Sequence, residues 1–208
     1  MRILIADDHP IVRRGLRQIL IDAQDISVVG EADTEAAVLA QLREQEWDVL
    51  VLDLAMPGRG GLDVLKQVRA ERPHLPVLIL SMHPEEQYAV RALRAGADGY
   101  LTKEGAPEKL LEAIRKVASG GKYVSEQLAE QLAVEIARPG GRPPHEALSD
   151  RELQVLVLLG AGRTVSEIAT QLSLSVKTVS TYRVRILEKT GLKNTAELIE
   201  YAVTHQLR

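Results

Sequence analysis

The sequence predicts an α/β domain with a doubly wound, five-stranded parallel sheet, followed by a small all-α domain of four helices. Three observations predict it. Up to about residue 121, five short β-rich runs alternate with longer stretches of helical period. Two of those runs, DVLVLD at 48–53 and PVLILS at 76–81, are almost wholly apolar, as strands covered on both faces must be. After the Pro/Gly-dense RPGGRPP at 138–144 the β signature stops and only helical periods remain.

In chain order, the expected strands are Arg2–Ala6, Ile26–Glu31, Asp48–Asp53, Pro76–Ser81 and Asp98–Thr102, the third and fourth being central. Helices at about 10–22, 34–46, 61–72, 84–95 and 107–119 connect them, with Pro10 and Pro107 suited to first turns and Gly96 and Gly120 to stops. VSEQLAEQLAVEIA supplies one more helix before a linker at 138–147. Four helices follow at about 149–160, 164–172, 175–190 and 195–205, with Ser or Thr at N-caps and glycines at 160, 162 and 191 between them. The expected domains are therefore 1–121 and 148–208, with a linker helix and a Pro/Gly-rich linker over 122–147.

Composition narrows the function classes. The 208 residues contain no cysteine, which removes disulfides and thiolate metal sites and fits a reducing, cytoplasmic setting. MRILIADDHP lacks the apolar region of an export signal, and no later run has the length of a membrane span. The net charge of −3 conceals an asymmetry. Residues 1–121 carry 15 basic and 19 acidic groups, whereas 148–208 carry 8 and 6. Between Lys177 and Lys193, five basic residues face one acid, Glu188, a footprint suited to a polyanion and also to an ordinary solvated helix face.

Asp7 and Asp8 follow the first strand and Asp53 ends the third, so a parallel sheet gathers their carboxylates at its carboxyl edge, where such folds hold ligands. Three clustered acids repel one another, and a hard divalent cation such as Mg²⁺ relieves that repulsion. Asp53 could then attack a phosphoryl group as a carboxylate nucleophile. Ser81, closing the fourth strand, offers a hydroxyl to a phosphoryl oxygen, and Lys103, after the fifth, offers a mobile positive charge. A lone Asp pair or a lone Lys is ordinarily structural; the joint placement at four strand ends is what carries weight.

LIADDHP, VLVLDLAMPG, PVLILSMH and GADGYLTK resemble the signature segments of response-regulator receiver domains over residues 1–121, which have a flavodoxin-like fold. The resemblance implies that Asp53 is the phosphoacceptor, that Asp7, Asp8, Asp53 and the Ala55 carbonyl hold Mg²⁺, and that Ser81 and Lys103 read the phosphate. It also implies that Tyr100 is the switch aromatic, and that Ala55 and His83 occupy positions tuning hydrolysis of the aspartyl phosphate. Ser81 stands where Thr is frequent, and Glu104 follows Lys103 where many receivers have Pro, so the cis peptide of those relatives is not assumed. Trp47 and His9 read as core and loop residues.

Within TVSEIATQLSLSVKTVSTYRVRILEKTGL, Ile168, Ala169 and Leu172 share one face of a short helix, and a turn at Ser173-Leu174 leads to a second helix burying Val179, Ile186 and Leu187. That is helix-turn-helix geometry, although a plain three-helix bundle has the same period. The opposite face displays Lys177, Ser180, Thr181, Val184 and Glu188, flanked by Thr178, Arg185 and Lys189. The stretch from Leu148 to Leu198 resembles the LuxR-type helix-turn-helix, and joined to a receiver it marks the NarL/FixJ subfamily. The resemblance implies base contacts from Ser180, Thr181 and Val184, and phosphate contacts from Lys177, Thr178, Arg185 and Lys189. Val184 stands where a polar reader is common and can meet only apolar features such as a thymine methyl. Arg183 stands at an often apolar position, its stem expected to be buried.

The implied function is a phosphorylation-controlled transcription regulator. It would take phosphate from a sensor histidine kinase and bind double-stranded promoter DNA through the helix at about 175–190, as a homodimer formed through the helix at 195–205, with RNA polymerase a further partner and no membrane. It is then a stoichiometric phosphoacceptor, not a turnover enzyme. Phosphorylation would release a receiver packed near the recognition helix, a shift requiring roughly 3–5 kcal/mol of differential stabilisation. Three rivals are weaker. A haloacid-dehalogenase-type phosphatase wants a second Asp two residues after the nucleophile, and position 55 is Ala. A dinucleotide-binding domain wants G-x-G-x-x-G where DDHPIVRRG stands. A phosphorylation-independent DNA-binding protein would not need the full set of acids and Lys103.

Overall fold

The computed structural model describes residues 1–208 except 57–60, 83–84, 138–142, 206 and 208; the side chains at 86, 87, 131 and 134–137 also fall outside the description. His83 therefore lies outside the described residues. The chain divides into two compact units, Met1–Arg138 and Pro139–Arg208.

In the first unit, β1 (Arg2–Ala6), β2 (Val28–Ala32), β3 (Val49–Asp53), β4 (Val77–Ser81) and β5 (Gly99–Thr102) form one parallel sheet in the order β2-β1-β3-β4-β5. Helices α1 (Pro10–Ile21), α2 (Glu35–Glu44), α3 (Gly61–Glu71), α4 (Glu85–Arg94) and α5 (Ala106–Ala118) connect and follow the strands. β3 and β4, apolar but for the Asp53 and Ser81 that end them, are interior strands, and every residue of both is buried. Ile3, Ile5, Val49, Val51, Leu78 and Leu80 meet Leu16 and Leu20 of α1 and Leu110 and Ile114 of α5 in one core layer. The alternate residues Leu4, Leu50, Leu52 and Ile79 are equally buried and point to the opposite face. Each fully buried leucine or isoleucine contributes about 1.5–3 kcal/mol from removal of apolar surface from water.

Strand β2 begins two residues later than its apolar run, at Val28, because Ile26 still belongs to the turn after α1, its N–H bonded to the Ala23 carbonyl. Beyond α5, Tyr123 makes an isolated parallel bridge to Gly99, its N–H bonded to the Asp98 carbonyl and its carbonyl accepting from Tyr100. The helix expected in the linker, α6 (Glu126–Ala137), packs on α4 and belongs to this first unit. Ser125 caps it, accepting from the Leu128 N–H at 3.1 Å, and also hydrogen-bonds Glu85.

The second unit opens with a 3-10 turn at Pro144–Ala147, inside the stretch expected to be linker; Pro144 sits where a first turn needs no N–H donor. Then come α7 (Asp150–Gly160), α8 (Val165–Gln171), α9 (Val176–Thr190) and α10 (Thr195–Thr204). A side chain caps each start: Ser149, Thr164, Ser175 and Asn194 accept from the backbone N–H of Glu152, Glu167, Thr178 and Glu197. The first two complete capping boxes with Glu152 and Glu167. Gly191 stops α9 at φ 72°, and Ser173, at φ 54°, turns the chain between α8 and α9. Leu153, Leu156, Ile168, Val179, Ile186 and Leu198 fill the core of this unit. Among the described residues, no helix is long and apolar enough to cross a membrane.

Candidate functional site

Strand register assembles the first site. Ala6 pairs with Leu52, which sets Asp7 beside Asp53; Asp53 pairs with Leu80, which sets Ser81 one step further along; Ser81 pairs with Thr102, which Lys103 follows. All of these ends lie on the carboxyl edge of the sheet. Asp7, Asp53 and Ser81 are nearly inaccessible to solvent. Lys103 reaches in from β5, its Nζ 2.7 Å from Asp53 Oδ2 and 2.6 Å from Asp7 Oδ2. The Ala55 N–H donates to Asp53 Oδ1 at 3.0 Å and the His9 N–H to Asp7 Oδ1 at 2.8 Å, so backbone groups hold both carboxylates in orientation. Gly61 packs closely on the end of β3: a Cβ there would lie 2.5 Å from the Asp53 carbonyl oxygen and 2.5 Å from the Leu54 Cα. Among the described residues every peptide bond is trans.

The pocket carries more negative charge than one lysine neutralises. Burial pushes the Asp53 carboxyl above its usual range even though Lys103 and the Ala55 N–H favour the ionised form. Burial alone would lower Lys103, but Asp53 and Asp7 outweigh it and hold the ammonium above its ordinary value. Two buried oxygens, Asp7 Oδ2 and Asp8 Oδ1, accept no hydrogen bond. Their contacts with Lys103 Nζ and with His9 Nδ1 (2.9 Å) are ion-pair distances without hydrogen-bond angles. Ligand atoms of Asp7, Asp8, His9 and Asp53 all lie within 4.8 Å of one another, so the carboxylates present fit a hard divalent cation. His9 is the member that sequence reasoning assigned to a loop; adjacency to the acid pair was the available signal. Tyr100 is fully buried in β5, and Trp47 is a core residue whose Nε1 donates to the Gln41 carbonyl.

The second site is α9. Lys177, Thr181, Val184 and Arg185 are exposed, and Thr178 and Ser180 are half-buried. Two hydroxyls are engaged within the helix. Thr181 Oγ1 donates to the Lys177 carbonyl at 3.0 Å, and Thr178 Oγ1 meets the cap hydroxyl of Ser175 at 2.7 Å. Lys189 is tied back to the fold: its Nζ lies 2.6 Å from Oε2 of Glu152, a carboxylate in the first turn of α7 that is almost wholly buried. That pairing and the N-cap hydrogen bonds outweigh burial and hold Glu152 below its ordinary value. Arg183 is half-buried with Nε inaccessible, in line with a buried stem. Val176, which the sequence reading passed over, is half exposed in the first turn of α9.

Comparison with known proteins finds relatives of both units. The family of response regulator receiver domains matches residues 3–115, and that of bacterial regulatory proteins of the luxR family matches 146–202. Among curated relatives, the response regulator UvrY of Escherichia coli K12 is 37% identical over 208 residues, 100% of this chain and 95% of its own. The response regulator GacA of Pseudomonas protegens is 38% identical over 205 residues, covering 99% and 96%. Among solved structures, RcsB from Salmonella enterica serovar Typhimurium bound to promoter rprA in the presence of the phosphomimetic BeF3- matches with a TM-score of 0.64 and 30% identity, covering 97% of each chain.

Proposed function

The chain belongs to the response regulators of the NarL/FixJ subfamily, a receiver domain joined to a LuxR-type DNA-binding domain, and from that membership we propose a transcription regulator controlled by phosphorylation of Asp53. The observation that carries the proposal is Lys103 Nζ, brought from the end of β5 to 2.7 Å from Asp53 and 2.6 Å from Asp7. A sensor histidine kinase donates the phosphoryl group: an Asp53 oxygen attacks phosphorus, the donor's P–N bond breaks, and an acyl phosphate forms. Asp7, Asp8, Asp53 and the Ala55 carbonyl would hold Mg²⁺, which would supply neutralising charge for phosphoryl transfer. Lys103 and Ser81 bind those oxygens and Tyr100 answers the displacement of Ser81. The phosphoacceptor function is assigned to 1–121, within the first unit, and the DNA-binding function to 148–208, within the second.

In the C-terminal unit, α9 enters the major groove with Ser180, Thr181 and Val184 at base edges and Lys177, Thr178 and Arg185 toward phosphates, while Lys189, which the family resemblance also places at phosphates, stays on Glu152. The complex of RcsB with promoter DNA and a phosphomimetic supports carrying both parts to this chain. A homodimer forms through α10, whose Ile199 and Val203 are exposed one turn apart. The chain is a cytoplasmic, stoichiometric phosphoacceptor that turns over no external phosphomonoester. The test compares DNA affinity with and without a small-molecule phosphodonor in wild type and Asp53→Asn. Stimulation in wild type alone is expected; equal stimulation in the variant would remove Asp53 from the mechanism.

A further inference from the structure

The outward face of α9 exposes two valine side chains among its cations. Val184 is 47% exposed and Val176 is 51% exposed, while Val179 and Ile186 alone are the helix's fully buried side chains. Eight residues separate the two valines, about 12 Å along the axis, or the rise of roughly three to four base pairs. Val176 lies in the first turn, the part of a recognition helix closest to base edges. Thr181, between them, has already given its proton to the Lys177 carbonyl, so its exposed side chain offers outward a methyl group and a lone pair. Exposed cations on the same helix, Lys177 and Arg185, identify a polyanion as what covers these methyls. In the major groove of DNA the apolar feature available to them is the C5-methyl of thymine.

We propose that α9 reads its operator chiefly through thymine methyl groups, with Val176 and Val184 as specificity-determining residues and Thr181 contributing its methyl. The inference rests on the DNA-binding reading above and deepens it. Apolar contact at these positions discriminates thymine from cytosine by shape and dehydration. Operators selected by this chain are therefore thymine-rich at the steps facing these two valines, on either strand.

The test needs no known operator. Random-sequence duplexes enriched on the full-length protein are copied once with dTTP and once with dUTP, which removes the methyl and keeps every Watson–Crick pair. The uracil copy is expected to bind about tenfold more weakly, at roughly three- to fourfold for each lost methyl. The Val176→Ser/Val184→Ser double variant, altered only at exposed positions, is expected to keep no more than the roughly three- to fourfold penalty of the contact left to Thr181. Thr181→Ser, which loses the methyl and keeps the hydroxyl, should bind the thymine copy more weakly. Equal binding of the two copies by wild type, with sequence enrichment intact, overturns methyl readout and leaves DNA binding standing. A uracil penalty that persists undiminished in the double variant belongs to the shape of the DNA and overturns the assignment of the valines. Failure to enrich any sequence overturns the DNA-binding reading, and the proposal with it.

Discussion

Replacing Lys189 by Met separates two roles that one lysine on α9 could have. As a strut it ties the last turn of α9 to the first turn of α7 through Glu152, at 2.6 Å. The glutamate side chain is 3% exposed and the lysine 41%, so the pair lies between two measured regimes. Truncating one partner of a fully buried pair costs about 3–5 kcal/mol because the other charge is stranded, whereas an exposed pair contributes below about 1 kcal/mol. The Ser149 N–H at 2.7 Å still serves Glu152 after the lysine is gone, and part of the carboxylate's loss is thereby recovered. A cost of about 2 kcal/mol follows from placing the pair between those limits. For a unit this small, about 4–8 °C of Tm is lost per kcal/mol, so the transition of the C-terminal unit should fall by about 8–16 °C in scanning calorimetry of the full chain. The second readout is salt. A lysine on a phosphate contributes about 0.9 to the slope of log affinity against log salt; a strut contributes nothing. Lys189→Met is expected to leave the slope for random duplex DNA unchanged. An unchanged Tm with a slope reduced by about 0.9 would refute the strut and restore Lys189 to the phosphate contacts.

Further outcomes follow from the same coordinates. Because the folded-state pKa of Glu152 is depressed, its stabilisation is fully present above the ordinary glutamate value of 4.5 and is lost as pH falls through the folded value; an acid unfolding series should show that loss in wild type and not in Glu152→Gln. Gly61→Ala would force the backbone of Asp53 and Leu54 aside, costing about 1–3 kcal/mol by overpacking, and titration with Mg²⁺ should show weakened binding; unaltered affinity would mean that the loop after β3 does not set the pocket. Gly30→Ala places a Cβ 2.3 Å from Cη2 of Trp47, so the fluorescence of the single tryptophan should report a shifted, less stable core, whereas Gly15→Ala, with nothing within 4 Å, should stabilise α1. The helical substitution is expected to add about 0.5–1 kcal/mol, an opposite sign for the same added methyl.

Much of the fold and of the acidic site was legible in the chain. Runs such as VLVLD and VLILS announce strands buried on both faces, and a parallel sheet leaves little choice about which edge collects Asp7, Asp53, Ser81 and Lys103. The N-caps at Ser149, Thr164 and Ser175 were equally readable, since a cap acts within three residues of itself. Boundaries set by turn hydrogen bonds, as at Ile26 and Pro144, were less so.

The sequence by itself determined which chemical groups stand at which strand ends and which helix carries the basic face, because period, capping and strand polarity are local properties. Tertiary structure alone decided that Lys103 bridges Asp7 and Asp53, that His9 joins the acids, that α6 packs on α4, and that Lys189 answers a glutamate 37 residues earlier. Each of these depends on which side chains the packed core brings within a few ångströms and on the rotamers it allows them, and no pattern confined to neighbouring residues encodes that.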